Sequence, residues 1–434
     1  MTEQENSWSN IPIKDTAPSP KPNLKVVIYS SNGSANYDVR IQSQATFLKS
    51  QGHTVTVVEP VSTISAPKFD WENNGINYFC EKNDVKALKL LEEAIALLRA
   101  SRARLVRPLT CKLFLSLVIA ILRLLAKAIE REVRRSLFHT LCALQPHVII
   151  TRDVIPEEVF WYKKRFPTAC VLSDLHEVVF WQQDTPDITL RSKQLTGFKI
   201  IAGAICVTEQ IRDNFYLNIG KPVLVIPNLP SSTLCHGITF QSRSNNENTV
   251  FLIHGGYLPQ RDFLVDAILE AWKETPETAI LCVRVLQPDS IQHLARRYGR
   301  MARIHFLPPI YGGFREELKE TAGLFDIGIL PSPVNLSPMY DMCSPNRLAL
   351  YLHAGLGLLH TPSSFVKKIA ANAKAGVQWD GVDLVSFINI VEDLSTHRER
   401  TEMIRGNAFR FAKRNFQYEC FGRGLLDLIE SSVS

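Results

Sequence analysis

The chain has 434 residues, 45% apolar and 21% charged, with a formal net charge of +6. These are the proportions of a soluble globular protein of two or three domains. Ten Lys/Arg and only two Glu fall between Arg99 and Arg135, a net +8 that leaves the remainder at −2. One segment is therefore basic rather than the whole protein, which argues against a nucleic-acid binder. The nine cysteines are scattered, with no C-x-x-C pair. That pattern disfavours a zinc or dithiol site and suits a reducing compartment. No metal site is visible, and no cofactor is expected.

Residues 1–22 are polar and Pro-bearing, and read as a disordered tail. Lys25–Ser30 reads as a strand running into a turn at Asn32-Gly33, which is either a simple turn or the ligand edge of a sheet. A helix over Asp38–Ser50 and a strand at Thr54–Val58 complete a βαβ unit, and with it a parallel sheet. Asp84–Leu144 reads as mostly helical. Its apolar run Leu113–Leu122, continued past Arg123 and Lys127, is too short to span a bilayer. Two readings stand for the basic amphipathic helix 99–135. It rests on anionic lipid, or it is buried with a solvated basic edge.

Strands follow at Pro146–Thr151, Thr168–Ser173, Lys199–Thr208 and Pro222–Pro227. The polar stretch Ser242–Thr249 reads as a linker. A second α/β series then begins, with strands at Thr249–His254, Ile280–Val285 and Arg303–Leu307, and a turn at Gly255-Gly256. Asp326–Ser332 reads as a buried strand. Ser344 to Leu359 reads as a loop, a helix and another strand, with Ser344 as N-cap, Pro345 in the first turn and Gly355 as C-terminal cap. The start of that helix, at the C-terminal edge of a parallel sheet, is a natural anion site. The fold class is thus α/β, two Rossmann-like doubly wound domains facing a central cleft. Their expected bounds are 23–240 and 249–415, with a C-terminal helix at 416–434 available to cross back.

Several segments in order resemble retaining GT-B glycosyltransferases, particularly the family-4 group (glycosyltransferase group 1). They are Asp38-Val-Arg-Ile41 with Gly52-His-Thr-Val55, Asp174-Leu-His-Glu177, Val225-Ile-Pro-Asn228, and His254-Gly-Gly-Tyr-Leu-Pro-Gln-Arg261. Phe325–Pro331 and Ser344-Pro-Asn-Arg-Leu348 complete the set. The resemblance implies transfer of a sugar from a nucleotide-diphosphate-sugar to a glycan or lipid-linked acceptor, with retention of configuration. The cysteine pattern and the basic apolar helix set the expected location as cytoplasmic, peripheral on the inner face of a membrane.

The resemblance also implies residue roles. Gly33 and Gly256 give backbone access to the diphosphate-sugar. Arg261 neutralises the leaving diphosphate, and backbone N–H groups around Ser344, Pro345, Asn346 and Arg347 add to this. His176 contacts the donor sugar near the reacting carbon. For His176 a capping role, and for Arg261 a solvated surface charge, remain the alternatives. The chain departs from the family at three positions. Met342 and Leu350 stand where it carries two glutamates, with Asp341 one position away as a substitute acceptor, and Tyr257 stands where the turn carries an arginine. A catalytically impaired GT-B protein serving as partner or scaffold of an active transferase is therefore the second hypothesis. A GT-B-shaped sugar-nucleotide epimerase is the third.

Overall fold

A computed structural model describes residues 23–30, 38–59, 70–80, 94, 117–122, 124–125, 138–152, 156–175, 188–257, 263–310, 313–333 and 338–433. Among the described residues, the N-terminal half holds seven parallel strands: β1 Lys25–Tyr29, β2 Thr54–Glu59, β3 Asn77–Cys80, β4 Val148–Arg152, β5 Cys170–Leu175, β6 Gly203–Cys206 and β7 Val223–Val225. Their order is β3-β2-β1-β4-β5-β6-β7. The C-terminal half holds six: β8 Thr249–Gly255, β9 Ala279–Val285, β10 Ile304–Leu307, β11 Ile327–Leu330, β12 Gly357–His360 and β13 Gly376–Gln378. Their order, β10-β9-β8-β11-β12-β13, repeats the same winding. Each sheet reverses direction once, between β1 and β4 and between β8 and β11, and such a switch point opens a crevice at the C-terminal strand ends.

The apolar runs form strands because both sheet faces are covered. In β1, Val26 and Ile28 join one hydrophobic cluster while Val27 and Tyr29 join another on the opposite face. The helix Val39–Ser50 is capped by Asp38, whose side chain accepts from Arg40 N–H. Arg40 is buried and pairs with Asp174 at the end of β5, and its guanidinium also donates to the Ile226 carbonyl beyond β7. The helix Glu419–Val433 packs on β5 and β7 of the N-terminal sheet; Tyr418 just before it lies 5.4 Å from Phe47 with the rings tilted at 48°, and Glu419 accepts from Ser232 N–H and Oγ.

Most of 99–135 lies outside the described residues, as do Gly33, His176 and Arg261. Within that segment, residues 117–122 and 124–125 are helical. Leu117, Ile121, Leu124 and Leu125 are exposed while Ile119 is buried. No helix among the described residues is long and apolar enough to cross a membrane.

Two features differ from the sequence-based expectation at the helix after β11. It begins at Asn346, with Pro345 as N-cap and no side-chain cap. Ser344 does not cap because it is engaged across the chain: its Oγ accepts from Asn228 N–H at 3.2 Å and its carbonyl from Asn228 Nδ2 at 2.5 Å. Gly355 does close the helix, in the left-handed region. In the helix Pro288–Tyr298, between β9 and β10, Ser290 lies in the first turn. Its hydroxyl donates to the Tyr257 carbonyl.

Candidate functional site

The second switch point gathers the groups expected at a nucleotide site. β8 ends at Gly255, whose φ of +131° lies where side-chain-bearing residues are strained. Arg347, in the first turn of the helix Asn346–Ala354, reaches over this turn. Its Nη1 donates to the His254 carbonyl at 3.3 Å. A Cβ at position 255 would sit 3.7 Å from the same nitrogen. Arg347 is half-buried and Asn346 exposed. With no side-chain cap and no acidic residue in its first turn, this helix directs its opening N–H groups and a fixed guanidinium at one place. Gly256 follows in the turn, half-buried.

The β8 end is held rigidly. His254 N–H donates to the Tyr351 hydroxyl at 2.9 Å, and that hydroxyl donates to the Leu252 carbonyl at 3.2 Å. Tyr351 lies directly on β11. A Cβ on Gly328 would fall 2.1 Å from its ring, so only glycine permits the contact. Tyr257 faces into the domain, 2% exposed, with its hydroxyl on Asp266 at 2.5 Å. It contributes nothing to the cleft in place of the arginine the resemblance implies there.

Asp341 lies in the helix Pro338–Met342 and turns toward the helix that follows β12, Ser364–Ala373. Its carboxylate accepts from Ser364 N–H at 2.8 Å and Ser364 Oγ at 2.7 Å. Met342 is 7% exposed and inserts into the N-terminal domain's hydrophobic cluster. Its carbonyl accepts from Thr208 Oγ1 at 2.8 Å. Leu350 is fully in the core. Lys368 pairs with Glu209 at 2.7 Å. These contacts, with Asn228 on Ser344, bring the two domains together beside the glycine turn.

A further group was not legible as a motif. Glu317, in the helix Phe314–Lys319 that packs on the Asn346 helix, sits with Oε1 3.8 Å from His254 Nε2. Burial pushes its carboxyl up to about 7, against the opposing pull of Arg284. Burial, with Arg284 and Arg347 nearby, pushes His254 down to about 3, so the ring is neutral at neutral pH. Arg284 is itself buried, 5.7 Å over the Phe325 ring and bonded to Thr321 Oγ1, so it fills space behind the pair. A lone Glu in a short helix carries no sequence signature. The only signal was an acidic residue on a segment leaving a strand at the ligand edge.

In the N-terminal domain, a narrow recess at the β1/β4 switch point is lined by Tyr29, Asp38, Arg40, Arg152 and Asp174. Arg152 pairs with Asp38 at 2.7 Å. Of the Asp174-Leu-His-Glu177 segment, the structure places Asp174 here, on Arg40. Among the described residues no group of three His, Cys, Asp or Glu is placed to hold a metal ion.

No family model and no curated protein matches the chain. Solved structures do. Sucrose-phosphate synthase from Thermosynechococcus elongatus is 12% identical, with a TM-score of 0.64 over 94% of this chain and 99% of that one. A glycosyltransferase from Rickettsia africae is 11% identical, with a TM-score of 0.60 over 95% and 100%. HepE from Anabaena, in complex with UDP-glucose, is 10% identical, with a TM-score of 0.58 over 94% and 100%. With its two doubly wound parallel sheets matched along nearly their whole length, the chain has the GT-B fold of these glycosyltransferases.

Proposed function

We propose that the protein is a glycosyltransferase of family-4 type, moving a sugar from a nucleotide-diphosphate-sugar to a glycan or lipid-linked acceptor with retention of configuration. One observation carries the reading. The Arg347 guanidinium and the uncapped start of the Asn346 helix converge over the Gly255-Gly256 turn, at the switch point of a parallel sheet. A leaving diphosphate needs positive potential where its charge develops, and preorganised donors supply it without reorganisation. The resemblance gives Arg261 as a second cation for the leaving diphosphate. The resemblance gives His176 as the contact to the donor sugar near the reacting carbon. The acceptor enters from the N-terminal domain, near the recess at Asp38 and Arg152. HepE, solved with UDP-glucose, makes UDP-sugars the first donors to try.

Calorimetry against UDP-, GDP- and ADP-glucose tests the donor claim. Saturable binding of one nucleotide class supports it, and indifference to all three contradicts it. Retention is read from the anomeric signal of the product by NMR. A membrane-bound acceptor fits the exposed residues Leu117, Ile121, Leu124 and Leu125. Their spacing puts them on one helical face within a strongly basic stretch. Flotation with anionic but not neutral vesicles is the expected result. Equal behaviour with both contradicts electrostatic docking.

The second reading, a GT-B partner protein without turnover, is favoured by Leu350 and Met342, both buried and apolar. Donor binding without transfer or hydrolysis of the sugar would select it.

A further inference from the structure

Beside the anion site, two polar groups face each other without satisfying each other. Glu317 Oε1 and His254 Nε2 stand 3.8 Å apart, beyond hydrogen-bond reach. The His254 side chain is 5% exposed, and its Nε2 is sealed from solvent with no hydrogen-bond partner. The Glu317 side chain is 20% exposed and, among the described residues, receives no side-chain or backbone hydrogen bond at its carboxylate. Buried polar groups are almost always paired, so an open carboxylate backed by an orphaned imidazole marks a place for a ligand's donors.

Its position says which part of a ligand arrives there. Arg347 hangs on the carbonyl of His254 itself, so the pair adjoins the proposed diphosphate position. On the β11 side Met342 and Ser344 are already engaged by Thr208 and Asn228 of the N-terminal domain. A nucleotide anchored at the turn therefore extends its nucleoside the other way, over the ends of β9 and β10. Position 254 registers with Arg284 of β9, and Glu317 lies in the helix that follows β10. The first sugar it meets there is ribose. A ribose diol offers two adjacent O–H donors, and a carboxylate offers two acceptor oxygens. The Asn346 helix supplies no carboxylate of its own, since its Leu350 is apolar and buried.

We propose that Glu317, oriented by His254, accepts the 2′- and 3′-hydroxyls of the donor's ribose. Glu317 is then a binding residue on the helix after β10. His254, in its Nε2–H tautomer, is a positioning residue that holds one carboxylate oxygen once the ligand draws Glu317 into place. This assignment rests on the nucleotide-sugar reading above.

The test compares UDP, GDP and ADP with their 2′,3′-dideoxy counterparts and with pyrophosphate, by calorimetry on the full chain. Wild type is expected to bind the ribose form of its preferred nucleotide about tenfold more tightly than the dideoxy form. In Glu317→Ala the two forms converge while pyrophosphate affinity is unchanged or improved. If Glu317→Ala does not fold, the near-isosteric Glu317→Gln carries the same comparison and is expected to lose most of the ratio. Equal wild-type affinities for ribose and dideoxy forms overturn the ribose assignment, as does a ratio that survives in a folded Glu317 variant. No binding of any nucleotide or of pyrophosphate overturns the donor reading itself, which separates the two failures.

Discussion

At the scale of single residues, the site depends on groups whose charge is set by their surroundings. Glu317 is the clearest. Its carboxyl, ordinarily near 4.5, is raised to about 7 by burial. The folded chain keeps a proton there that the unfolded chain loses, so stability falls as pH rises between those values and stays lower above them. Glu317→Gln cannot ionise and escapes that loss. Its Tm relative to wild type is expected to be higher at pH 8 than at pH 4.5, measured by scanning calorimetry; a difference independent of pH would contradict the raised carboxyl. Residue identity was partly legible in the sequence. The Gly255-Gly256 turn and Gly355 stand out because glycine has a local backbone reason. Ser344 was misleading because its partner, Asn228, lies 116 positions away, and no local pattern announces it. Glu317 and His254 are joined only by folding, through different elements.

At the scale of elements, the strands were readable where both faces are buried, since a continuous apolar run of four to seven residues has few other uses in a parallel sheet. The missed strands, β3 and β13, are the edges on which one side of the pattern fades. Asn77–Cys80 alternates between exposed and half-buried, and Gly376–Gln378 is three residues long. The packing of Tyr351 on Gly328 is the element-level contact that fixes the β8 end. Gly328→Ala would place a methyl inside the Tyr351 ring, displacing the helix or the strand. A loss of about 1–3 kcal/mol in denaturant unfolding is expected. Weaker nucleotide binding should accompany it, because the Tyr351 hydroxyl also holds His254 N–H. An alanine variant as stable as wild type would show that the ring has room to move.

At the scale of the whole molecule, the two domains are joined next to the site rather than only through the 242–249 connection. Met342 sits in the N-terminal cluster, Thr208 holds its carbonyl, Asn228 holds Ser344, and Glu209 pairs with Lys368. The resemblance places a glutamate at position 342, so by that measure Met342→Glu restores a missing ligand. The structure predicts the reverse. A carboxylate there is buried in the same cluster, with Asn214 Nδ2, which donates to the Met342 sulfur at 3.4 Å, beside it, and costs about 1–3 kcal/mol. Lower Tm and a larger radius of gyration in solution scattering are expected. Unchanged compactness with improved donor binding would mean that the loop carrying Met342 turns into the cleft.

Donor binding as proposed depends on Arg347 and the start of its helix holding a diphosphate. The direct measurement is calorimetry of a nucleoside diphosphate against its monophosphate, in wild type and in Arg347→Ala. Wild type should favour the diphosphate strongly, and Arg347→Ala should lose roughly 10- to 100-fold of diphosphate affinity while monophosphate binding changes little. A folded Arg347→Ala protein that binds the diphosphate as wild type does would contradict the account.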